Sequence, residues 1–116
     1  WLAVEAFTKS DTDIAYSVQP LEEVIDHLRS ELMNRHVKRL QKGLCTIEAG
    51  FIFSDIVTNI ERISDHCSNI AFSLLQRNDE TLNAHTYRNQ VISSDSHHFR
   101  YEYNRLEQKY RLQDNI

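Results

Sequence analysis

The chain has 116 residues, 41% of them hydrophobic and 26% charged, with a formal net charge of −4. That composition fits one globular domain with a modest core and gives no reason to expect nucleic-acid binding, which needs a basic surface to neutralise phosphates. Two glycines and one proline exclude the turn-rich all-β folds, and no run of 18 apolar residues offers a membrane span.

The first residues, "WLAVEAFT", have the pattern of a helix tail. The chain opens on Trp1 without an initiator Met, and Glu5, Lys9 and Asp11 break up any signal-peptide core, so a piece of a longer or processed protein is expected. "KSDTD" is a turn in which Ser10 or Asp11 caps the next helix. Apolar residues at Ile14, Val18, Leu21, Val24, Ile25, Leu28 and Leu32 then keep helical period. The stripe holds its phase across Pro20, which predicts one helix kinked there. The basic run "NRHVKRLQKG", closing on Gly43, is a helix C-terminal signature.

A further helix is expected from about Leu44 or Thr46 to about Gln76, with Gly50 allowing a neighbouring helix to come close. Its apolar positions Ile52, Ile56, Ile60, Ile63, Cys67, Ile70 and Leu74 are taken as the core face. Residues 77–96 are polar and poorly patterned. Beyond them Phe99, Tyr103, Leu106 and Tyr110 form the seam of a last amphipathic helix, and Tyr87, Tyr101, Tyr103 and Tyr110 are expected to pack. The fold class is therefore all-α, an antiparallel up-and-down bundle of three to four helices. A bundle with a truncated first helix fills 1–76, a polar loop 77–96, and a C-terminal helix packed on the bundle 97–116.

Two devices remain. "IERISDHCSNIA" carries Glu61 and Asp65 four apart on a face away from the apolar stripe, and Asn69 extends their line. "LEEVIDHL" carries Glu22 and Asp26 at the same spacing. Like charges so placed weaken a helix by a few tenths of a kcal/mol. Two antiparallel helices could bring the four carboxylates together around Mg²⁺, Mn²⁺ or Fe, with Ca²⁺ less comfortable. The competing reading is a solvated face screened by Arg29 and Arg62. His27 and His66 follow acidic positions and point about 100° away from them. His97 and His98 stand as surface residues without ligand partners. Cys45 and Cys67 belong to no CxxC and are taken as reduced thiols in a reducing compartment, Cys67 as a small core residue. No nucleophile–base arrangement, phosphate loop or ExxH pair is present, so no catalytic residue is assigned and no organic cofactor is expected.

"DIVTNIERISDHCSNIA" resembles the signature helix of PhoU-type domains, close to "LERIxDHxxNIA", through Glu61, Arg62, Ile63, Asp65, His66, Asn69, Ile70 and Ala71. "PLEEVIDHL" resembles the second acidic helix of that family, with Glu22 and Asp26 as its E(D)xxxD motif, and the resemblance covers roughly 1–76. Ser64 stands where the ordinary family member has Gly. The segment from Val18 to Ala71, and the ending "FRYEYNRLEQKYRL", are similar to the cytoplasmic C-terminal PhoU-like domain of bacterial sodium/phosphate cotransporters. The resemblance implies a PhoU-like, spectrin-repeat-like bundle on the cytoplasmic side of the bacterial inner membrane, a non-catalytic regulator of phosphate transport. Its partner would be a membrane-embedded transporter portion of the same chain. It also implies Fe, Mn, Zn or Mg ions held by Glu22, Asp26, Glu61 and Asp65. The other function open to these residues is a metal-free interaction module that docks through the acidic stripe. A homodimer or an upstream helix would cover the face that the truncated first helix leaves open.

Overall fold

The computed structural model describes residues 1–83, 87 and 97–114. The described chain is all-helical: α1 spans Leu2–Lys9, α2 Thr12–Gln41, α3 Ile47–Asn78 and α4 His97–Tyr110. The molecule measures 52 × 26 × 24 Å, and α2 runs almost its whole length.

Local chemistry sets the helix ends. At the end of α1, Ser10 enters the left-handed region (φ 51°); its N–H reaches Phe7 O, and Asp11 N–H reaches back to Ala6 O at 2.9 Å. This is a Schellman turn with Ser in the position usually held by Gly. Asp11 Oδ1 then accepts from the N–H groups of Asp13 (2.9 Å) and Ile14 (3.1 Å), so Asp11 is the cap that starts α2. At the far end Gly43 (φ 67°) turns the chain, with Leu44 N–H on Arg39 O at 2.9 Å. Thr46 Oγ1 caps α3 through Ala49 N–H at 3.2 Å. Pro20 lies inside α2, which continues unbroken to Gln41, as the phase of its apolar stripe predicts.

Helix α2 is the centre of the bundle and packs against α1, α3 and α4. The main core cluster gathers Ala6, Ala15, Val18, Ala71, Leu74, Leu75 and Tyr87. The Tyr87 ring stands 5.4 Å from Phe72 and 6.0 Å from Tyr16. Most of these residues are small, which lets the helix axes come close.

The face that α3 buries corrects the expectation. Gly50, Val57, Ser64 and Ala71, each seven residues after the last, are buried in the seam. The isoleucines taken as core lie on one shoulder of that seam: Ile52, Ile56, Ile60 and Ile63 are 52–64% exposed, and Ile70 is exposed too. Leu74 alone of that stripe is fully buried, and Cys67 is half-buried. Helix α1, eight residues long, packs on α2 and α3, and Trp1, Leu2 and Ala3 line the groove beside Ile60 and Ile63. On α4, Leu106 is buried and Phe99 and Tyr103 are half-buried, but Tyr101 and Tyr110 point to solvent instead of packing. Helix α3 runs two residues past the expected end. Most of the expected polar loop, residues 84–86 and 88–96, lies outside the described residues.

Candidate functional site

The two acidic motifs sit on facing, antiparallel helices, α2 and α3. Three cross-helix contacts set their register. Ser68 Oγ donates to Gln19 Oε1 at 3.2 Å. Arg29 Nε stands 4.0 Å from Glu61 Oε2. The His36 ring lies against Gly50, where an added Cβ would meet Nε2 at 3.0 Å. Gly50 thus does what the sequence suggests, letting α2 approach. In this register Glu22 is level with Asp65, and Asp26 is level with Glu61.

Being level does not bring the carboxylates to one point. Glu22 is half-buried and accepts from Gln19 Nε2 at 3.1 Å, while the same amide reaches Glu23 Oε1 at 3.0 Å. Gln19, buried, therefore ties the acidic turn of α2 to Ser68 on α3. No periodicity or motif marks a single Gln for this role, and sequence reasoning passed over it. Glu61 is half-buried and faces Arg29, a cation that the sequence suggested only as a screen for Asp26. Asp65 and Asn69 are exposed. Asp26 is half-buried. Among the described residues no three His, Cys, Asp or Glu side chains come together as a group able to hold a metal ion. In this arrangement Gln19 holds the Glu22 carboxylate and Arg29 faces Glu61.

Beside this acidic strip runs an apolar groove of about 340 Å³, its walls formed by Leu21 and Ile25 of α2 and Ile60, Ile63 and Cys67 of α3, with Trp1 at its mouth. A second groove of about 520 Å³ lies between α1 and α3, lined by Phe7, His66, Asn69 and Ile70 among others. So His66 faces a different side from Glu61, as the helical offset requires. His27, His97 and His98 are exposed. Both cysteines are free thiols. No described helix is long and apolar enough to cross a membrane.

The model of the family described as "PhoU domain" matches residues 2–74. Among curated proteins, the phosphate-specific transport system accessory protein PhoU homolog 1 of Thermotoga maritima is 28% identical over 68 residues, which is 59% of this chain and 29% of that protein. The chain thus spans less than a third of the length of this relative. No solved structure matches at a significant level. The family match takes in α1, α2 and nearly all of α3, with both acidic motifs inside it, and covers more than half of the chain: the chain belongs to the PhoU domain family.

Proposed function

We propose that this chain is a non-catalytic regulatory domain of a phosphate transport system, and that it acts by docking through the acidic strip of Glu22, Asp26, Glu61 and Asp65. The observation that carries this reading is the family match over 2–74, which holds both acidic motifs. The name of the Thermotoga maritima relative, an accessory protein of phosphate-specific transport, points the same way. The finer assignment is the cytoplasmic C-terminal part of a sodium-dependent phosphate cotransporter, with the membrane-embedded portion of the same chain as partner. What supports it is the resemblance of 18–71 and 99–112 to that group. The packing of α4 along α2 gives the second of these segments a place on the domain.

A metal-bound strip is the second reading, and the register favours it by setting Glu22 beside the level of Asp65 and Asp26 beside that of Glu61. One experiment separates the two. The chain is purified without chelators or an affinity tag, and its Fe, Mn, Zn and Mg are counted beside Glu61→Ala/Asp65→Ala. Docking without metal predicts no stoichiometric ion in either protein. It also predicts a melting temperature within about 2 °C of wild type, because an exposed Arg29–Glu61 pair contributes only about 0.5 kcal/mol. An ion per chain that disappears in the double variant would instead establish the metal reading.

A further inference from the structure

The hairpin that joins α2 to α3 forms one end of the long molecule, and its chemistry is unlike the rest. From Asn34 to Phe51 the chain carries Arg35, Lys38, Arg39 and Lys42 against a single carboxylate, Glu48, while the whole chain is acidic. The four cations line one cleft of about 670 Å³ together with Glu31 and Asp114. Glu31 is paired with Arg35, whose other nitrogen donates to Gln113 O. Lys38 and Lys42 are exposed. At the same end Leu44, Ile47 and Phe51 are 69–71% exposed, and Val37 is nearly half exposed. Cations near a helix C-terminus are ordinary complements of the helix dipole. Large apolar side chains held out in solvent among them are not explained that way.

We infer that this hairpin end is a docking surface for an anionic phospholipid membrane, with Leu44, Ile47 and Phe51 entering the headgroup–acyl boundary and Lys38, Arg39 and Lys42 on the lipid phosphates. Charge complementarity decides the occupant. A lipid surface with negative potential attracts basic residues near it and takes up apolar tips, whereas a nucleic acid would leave the apolar tips in water. The cleft stays basic with its two carboxylates counted, because Glu31 is paired with Arg35 and only Asp114 is set against Lys38, Arg39 and Lys42. Since no described helix can span a bilayer, the chain would stand on the surface by one end. The inference does not depend on the regulatory reading, because pure lipid is its test.

The 116-residue chain is co-sedimented with vesicles of phosphatidylcholine alone and of phosphatidylcholine with about one-third phosphatidylglycerol, at low salt and at about 0.5 M salt. Binding is expected on the anionic vesicles at low salt and is expected to fall away at high salt. Lys38→Ala/Lys42→Ala should weaken it roughly 25-fold, about fivefold per cation. Leu44→Ser/Phe51→Ser should weaken it at least about tenfold. All four positions are exposed, and circular dichroism checks that helix content is kept. Absence of sedimentation with anionic vesicles, equal binding to neutral ones, or binding that both double variants retain would each overturn the inference.

Discussion

At the residue scale, two side chains report on how tightly the bundle is drawn together. Gly50 is in mid-helix, where Ala would normally gain about 1 kcal/mol of helix propensity. Here the added Cβ would press on the His36 ring, which is buried and held at 4.9 Å from the ring of Phe53. The ring has little room to give, so Gly50→Ala should destabilise the chain by about 1 kcal/mol or more in urea unfolding; a gain in stability would mean that α2 and α3 are not in close contact there. Tyr87 reports on the core at the opposite end. Burial, with a smaller effect from Tyr16, pushes its hydroxyl up to about 12. A raised pKa means that the folded state favours the neutral phenol. The associated stability is complete below about pH 10 and is lost as pH rises towards 12. Wild type should therefore lose roughly 1–2 kcal/mol across that window, after allowance for solvent screening. Tyr87→Phe should show a flatter alkaline limb; an equal slope in both proteins would place Tyr87 outside the core.

At the scale of elements, helix ends were legible and the buried face of α3 was not. Asp11, Gly43 and Thr46 act within a few residues of themselves, so a local reading finds them. The burial of α3 depends on which helices are present beside it. Its isoleucines give the stronger hydrophobic stripe, yet the seam with α2 is made of Gly50, Val57, Ser64 and Ala71, mostly residues too small to register as hydrophobic. The acidic pairs were visible because carboxylates four apart are unusual on one helix. Their relation to Gln19 and Arg29 was not visible, since it depends on the register between helices. The α1–α2 junction gives a prediction at this scale. Ser10 pays a left-handed penalty of about 1 kcal/mol and receives only a 3.3 Å contact from Arg77 at the surface. Ser10→Gly should raise stability by about 0.5–1 kcal/mol in thermal unfolding. A loss instead would show that the Arg77 contact holds α1 on α3.

At the scale of the whole molecule, charge and apolar surface are sorted to different places. The acidic motifs occupy the middle of the α2–α3 pair, the exposed isoleucines the adjacent groove, and the basic, apolar hairpin one end. Among the described residues no group of three or more His, Cys, Asp or Glu that could hold a metal ion is found. On the reading proposed above, the domain regulates by binding a partner and biasing its state. Phosphate uptake tests that claim most directly. Labelled phosphate entry is measured in cells that carry this domain intact, with it deleted, and with Glu61→Ala/Asp65→Ala. The expected result is that uptake which falls in phosphate-rich medium with the intact domain stays high in both altered strains. Uptake that falls equally in all three would contradict a regulatory role for this domain in phosphate transport.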